Sequence, residues 1–144
     1  MVVKIKNTSS FPLPQYATPG SAGLDVRALL DVDLIIAPME RVMIGTGIFL
    51  ELPDGIECQV RPRSGLAAKH GITVLNTPGT IDSDYRGEIK IILINLSHQT
   101  YRVAPGERIA QLVFSKYEQI LWEETHEIGE THRGTGGFGH TGNK

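Results

Sequence analysis

The chain has 144 residues and a formal charge of −2. That is the size of one domain with one core, and the charge offers no general attraction to nucleic acid or an anionic membrane, so phosphate binding must come from local clusters. A single cysteine, Cys58, excludes an internal disulfide and a CxxC zinc or redox motif, and it fits a reducing compartment.

The opening residues MVVKIKNTSS lack the roughly 7–15-residue apolar run of a signal peptide. No segment approaches the ~18 apolar residues of a membrane span. A soluble, cytoplasmic protein is expected. Sixteen glycines and eight prolines punctuate short apolar runs, the rhythm of an all-β chain folded as a sandwich or jelly roll. Strands are predicted at Val2–Ile5, Leu34–Ala37 and Arg41–Leu52, the last broken or bulged at Gly45 and Gly47. Ile56, Cys58 and Val60 alternate with Glu57, Gln59 and Arg61, the period-two pattern of a strand with one buried face. Ser64–His70 is the one convincing helix, with a serine to cap its start and Gly71 to end it. Ile89–Leu96 reads as a strand buried on both faces, because its apolar run is continuous and too short for a typical helix. Ile109–Phe114 is a further strand. Six of the sixteen residues from Gly129 to Lys144 are glycine, so this tail cannot build a core. The expected division is a β domain over 1–128 and a flexible lid over 129–144 belonging to the same functional unit.

Three polar segments carry candidate chemistry. GTIDSDYRGE, Gly79–Glu88, sets two aspartates, a tyrosine and an arginine between glycines; on composition alone it reads as a solvated turn. Its DxD is no calcium loop, since the twelfth loop position is Leu93 where a bidentate glutamate is needed. RPRSGLA, Arg61–Ala67, places two arginines, a hydroxyl and a glycine at a helix start. That suits a phosphate cradle and equally an ordinary capped helix. RGTGGFGHTG, Arg133–Gly142, matches GxGxxG by letter, but no strand precedes it and too little chain follows for a dinucleotide fold. His70, His98, His126, His132 and His140 show no metal-binding spacing. Tyr117 and Trp122 read as packing residues.

Taken together these segments resemble the trimeric dUTPase family. Five motifs stand in the family's order: SAGLDV at Ser21–Val26, PRSGLA at Pro62–Ala67, NTPGTIDSDYRGE at Asn76–Glu88, GERIAQLVF at Gly106–Phe114 and RGTGGFGHTG at Arg133–Gly142. The resemblance implies an all-β jelly-roll subunit with one short helix and a glycine-rich C-terminal tail. It also implies a homotrimer whose active sites lie between subunits, with no nucleic-acid or membrane partner. The implied reaction is magnesium-assisted hydrolysis of dUTP to dUMP and pyrophosphate.

By the same resemblance, Asp82 is the general base for water attacking the α-phosphorus, and Tyr85 lies against the deoxyribose and excludes UTP. Asn76 reads uracil with its donor and acceptor; Gly79, Thr80, Ile81 and the main chain near Lys90 line the base slot. Arg63, Ser64, Gly65 and Gln111 contact phosphates, and Asp25 holds a water on Mg2+ that is itself bound mainly by the phosphates. Arg133 pairs with the terminal phosphate and Phe138 stacks on the base, with Gly139 beside it. The family usually has serine where His140 stands, so the γ-phosphate contact comes from Thr141, from the His140 imidazole, or not at all. The rival readings are a dCTP deaminase, whose glutamate-centred base pocket is not evident here, and a catalytically silent nucleotide-binding module.

Overall fold

A computed structural model describes residues 1–137; Phe138, Gly139, His140 and Thr141 lie outside the described residues. The described chain forms strands β1 (Lys4–Asn7), β2 (Gly23–Arg27), β3 (Leu34–Ile36), β4 (Arg41–Gly45), β5 (Ile48–Glu51) and β6 (Ile56–Arg61), then helix α1 (Ser64–His70). Strands β7 (Ile72–Val74), β8 (Gly79–Ile81), β9 (Lys90–Asn95), β10 (Tyr101–Val103) and β11 (Arg108–Lys116) follow.

Every strand pair is antiparallel, and most partners are remote in sequence: β1 with β5, β2 with β11 and β3 with β10. Two larger sheets, β2-β11-β6-β8 and β4-β9-β7, carry most of the inward side chains. Between them lies one core containing Val26, Ile44, Ile72, Ile91, Leu93, Ile109 and Leu112. This is a jelly-roll-like β-sandwich with one short helix. Among the described residues no helix is long and apolar enough to cross a membrane.

The predicted break in Arg41–Leu52 falls at Thr46-Gly47, where Gly47 has a φ of 70°. Thr46 is buried, and its hydroxyl is satisfied by donating to the Ile89 carbonyl at 2.7 Å and accepting from Ile48 N–H at 3.2 Å. In β6 the alternation holds: Ile56, Cys58 and Val60 are buried and their neighbours are not. The helix has the predicted bounds and ends at Gly71 in the left-handed region, φ 65°.

Four expectations need correction. Ser64 does not cap the helix: Arg63 occupies the N-cap in extended geometry, with no side-chain cap bond, since a guanidinium carries only donors and cannot accept a helix N–H; here it donates to Asp25 and the Arg108 carbonyl. The first strand lies at Lys4–Asn7 rather than Val2–Ile5. The Ile89–Leu96 run is not buried on both faces of this subunit; Ile91, Leu93 and Asn95 point into the core, while Ile92 and Ile94 are only half covered and Leu96 is exposed. Among the described residues the outer face of β4-β9-β7 is only partly covered, and Met43, the register partner of Ile92, is exposed there too. Finally, Trp122 does not pack in this chain but is 91% exposed, and Tyr117 lines a cleft beside Asp82.

Candidate active site

One rung of the four-stranded sheet aligns Asp25 of β2, Gln111 of β11 and Arg61 of β6. A register shift between Arg108 and Ala110 buries Ile109 and Ala110 in succession. Such a bulge leaves Arg108 and Gln111, three apart, on the same outward face. The half-buried Asp25 carboxylate accepts from Arg63 Nε at 2.9 Å and from Arg108 at 3.3 Å. Arg63 also donates to the Arg108 carbonyl at 3.0 Å. Gln111 donates to the Pro62 carbonyl at 2.9 Å, just ahead of Arg63, Ser64 and Gly65.

Gly23 makes this arrangement possible. A Cβ there would overlap Gln111 Oε1 and stand 3.1 Å from its Cδ. Three segments remote in sequence therefore converge on one patch with two guanidinium groups, an amide and an exposed hydroxyl around a single carboxylate. An anion can compete for those donors. Arg108 was not singled out from the sequence; its only signal was its place three residues before Gln111, and the bulge that turns it outward is not legible in the letters.

The second group is contiguous in sequence. Gly79, Thr80 and Ile81 of β8 pair with Val60, Gln59 and Cys58, and the Thr77-Pro78 peptide before them is cis. Asn76 folds back over Gly79, whose Cβ would lie 3.1 Å from the Asn76 amide nitrogen. Asp82 is exposed and opens a turn closed by Tyr85 N–H to the Asp82 carbonyl at 3.2 Å. Arg86 ties the turn by donating to the carbonyls of Ser83 and Tyr85 at 2.7 and 3.0 Å. Glu57, Thr80, Asp82, Asp84 and Tyr117 line a cleft here. Lys90 stands apart from this cleft, at the head of β9 opposite Gly45.

Among the described residues the two groups do not meet within the chain. Strand β8 lies three places from β2 in the sheet, and Ile81 lies three rungs from the Asp25 rung. Strand geometry makes that roughly 14 Å across and about 10 Å along. Arg133 touches neither group; it is exposed and donates to the Gly136 carbonyl of its own tail at 2.8 Å.

The remaining chemistry is narrow. Burial, with a smaller contribution from Glu57, pushes the Cys58 thiol up to about 12, so it is no nucleophile. Burial and the hydrogen bond to Glu107 likewise raise the Tyr101 phenol. Among the described residues no group of three or more His, Cys, Asp or Glu side chains could hold a metal ion. Asp25 offers a hard oxygen donor suited to Mg2+, but one carboxylate is no cage, so a cation here would take most of its ligands from the phosphates it accompanies.

A family model described as dUTPase matches residues 9–142. The deoxyuridine 5'-triphosphate nucleotidohydrolase of Finegoldia magna is 54% identical over 99% of this chain and 99% of its own. That of Rickettsia felis is 56% identical over 97% and 96%. Among solved structures, the Staphylococcus bacteriophage 80alpha dUTPase with dUPNHPP superposes with a TM-score of 0.88 at 24% identity, covering 98% of both chains. A dUTPase from phage phi11 of S. aureus, described as coordinating a structural Mg(II) ion, superposes with a TM-score of 0.79 at 19% identity, covering 89% of this chain and 99% of its own. The structural likenesses establish the jelly-roll fold, and the family match with the relatives above half identity settles the rest: the chain belongs to the dUTPase family.

Proposed function

We propose that the protein is a dUTP diphosphatase, hydrolysing dUTP to dUMP and pyrophosphate in the cytoplasm. It thereby limits uracil incorporation into DNA and supplies dUMP for thymidylate synthesis. The observation that carries the reading is the identity of 54–56% over nearly the whole chain with deoxyuridine 5'-triphosphate nucleotidohydrolases.

The site residues take these roles. Asp82, exposed beside Thr80 in the cleft, orients a water and accepts its proton as the oxygen attacks the α-phosphorus in line with the leaving pyrophosphate. Asn76 and the Gly79–Ile81 backbone read the uracil edge. A cytosine amino group there would leave buried partners unpaired, so its rejection is strong. Tyr85 underlies the deoxyribose. Arg63, Ser64, Gly65 and Gln111 receive the phosphates, joined in this reading by Arg108, whose guanidinium faces the same Asp25 carboxylate as Arg63. Magnesium supplies counter-charge to the triphosphate, and Asp25 is the residue that would hold one of its waters. The tail, residues 129–144, acts as a lid that brings Arg133 to the terminal phosphate and Phe138, Gly139 and either His140 or Thr141 to the nucleotide.

The working unit in this reading is a homotrimer with each site shared between subunits. Its support is physical: the Asp25 and Asp82 groups stand apart in one chain, and large apolar side chains are left uncovered. Among the described residues Met43, Leu75, Ile120, Leu121 and Trp122 are between 45% and 97% exposed.

Release of pyrophosphate from dUTP, UTP, dTTP and dCTP in magnesium tests the chemistry and its selectivity together. dUTP alone should turn over. Ammonia from dCTP, or dUTP binding without pyrophosphate release, would remove the proposal. Hydrolysis in oxygen-18 water should label dUMP, and label in pyrophosphate would refute attack at the α-phosphorus.

A further inference from the structure

The loop after Asp82 ends on a set of contacts that the proposed chemistry does not use. Tyr85 Oη donates to the Glu88 carbonyl at 3.0 Å. Its ring lies across Gly87: a Cβ there would collide with Oη and stand 2.5 Å from Cζ and 2.9 Å from Cε2. Only glycine leaves room for the phenol in this position.

The acceptor of that hydrogen bond is itself fixed. Glu88 Oε1 accepts Gly47 N–H at 2.9 Å, in space that a Cβ on Gly45 would invade, at 2.6 Å from the same oxygen. On the other side of the carbonyl, Ile89 N–H donates to the Ile48 carbonyl at 2.8 Å, and the Ile89 carbonyl accepts from the Thr46 hydroxyl at 2.7 Å. Thr46 and Ile89 are both buried. A ring that is 44% exposed is therefore tethered to a carbonyl anchored in the core on both flanks.

That tether matters for selectivity. A site with no polar group to offend cannot strongly reject a ligand that merely adds a hydroxyl, because the wall can yield. A wall held at its hydroxyl end yields less. We propose that Gly87 and Glu88 are positioning residues that orient the Tyr85 ring and so set how strictly the site refuses a 2′-hydroxyl. The inference rests on the reading of Tyr85 as the wall beneath the deoxyribose.

The test compares kcat/KM for dUTP and UTP in the full-length protein carrying Tyr85→Ala, Tyr85→Phe, Gly87→Ala, Glu88→Ala or Glu88→Gln. Tyr85→Ala should collapse the dUTP:UTP ratio. Tyr85→Phe and Glu88→Ala should each lower it about three- to tenfold, the scale of one lost hydrogen bond, through a lower KM for UTP rather than a lower kcat for dUTP. Glu88→Gln should restore the ratio, since its amide oxygen still accepts Gly47 N–H. A purely structural role would depress both substrates together and leave the ratio alone. Gly87→Ala should act like Tyr85→Phe; if it does not fold, Tyr85→Phe, which adds no atom, decides. Unchanged ratios in Tyr85→Phe and Glu88→Ala beside a relaxed Tyr85→Ala would overturn the positioning inference. An unrelaxed Tyr85→Ala would instead overturn the reading of Tyr85, and the inference with it.

Discussion

The two halves of the site are built on opposite plans. The Asp25 half is assembled from three remote segments and cross-braced by Arg63, Arg108 and the Gln111–Pro62 bond. The Asp82 half is a single stretch of sequence that runs off β8, an outermost strand of its sheet, into an exposed turn. In the proposed reading the difference separates binding from chemistry: the charged half is already braced, while the carboxylate that would act on water stands exposed. Preorganised donors suit an anion whose charge is present throughout, and an open base suits a step that begins only when a cover excludes bulk water.

The largest expected effect attacks the separation itself. Ile92→Glu places a carboxylate on the outer face of β9, beside exposed Met43. If that face is covered in the trimer, an unpaired charge there is costly. Sedimentation should then show monomers and activity should vanish. A trimeric, active variant would show that this face is not the interface.

Asp82→Asn should come next, with turnover falling between about a hundredfold and ten-thousandfold while calorimetry still detects dUTP binding. The same variant sharpens the comparison by complementation. Refolded together with Asp25→Ala subunits, it should regain measurable activity, because in the proposed trimer a mixed assembly would contain sites that draw both aspartates from intact subunits. No recovery would mean that both halves of a site come from one chain.

Removal of residues 129–144 should lower kcat/KM about a hundredfold, the scale lost when reacting groups are no longer held in place. The unfolding temperature should hardly move, since among the described residues Arg133 donates to the Gly136 carbonyl of its own tail and residues 118–135 are exposed. A truncated enzyme with full activity would show that the tail is no lid.

How much of this was legible in the letters follows the same division. The Asp82 half was readable because it is contiguous, and a motif can carry it whole. The pairing of Ile56, Cys58 and Val60 with a buried face was readable from alternation alone. Strands β7, β8 and β10 were not, since three residues show no period and, unlike the wholly apolar β3, they carry too few apolar side chains to mark a strand before their partners β9, β6 and β3 are known. Arg108 was hidden because a bulge, not a spacing, brings it to Asp25. Ile92 and Ile94 read as core because their apolarity is real, although the described residues cover them only in part. Cys58 is the reverse case: its isolation was visible at once, and its depth in the sheet only from the fold.

The smallest effect tests the bracing of the Asp25 half. Gly23→Ala inserts a methyl group where Gln111 Oε1 now lies. The obstructing atom is the far end of a flexible side chain, so the strand should survive and the amide should swing away from the Pro62 carbonyl. One positioning hydrogen bond is then lost while Asp25, Arg63 and Arg108 keep theirs. The expected outcome is a KM for dUTP raised about three- to tenfold with kcat nearly unchanged, because in the proposed site Gln111 would meet the phosphates in the ground state and the transition state alike. Gln111→Ala should match it, and the double variant should be no worse than either single one. Additive losses would show that Gly23 acts through something other than the Gln111 amide.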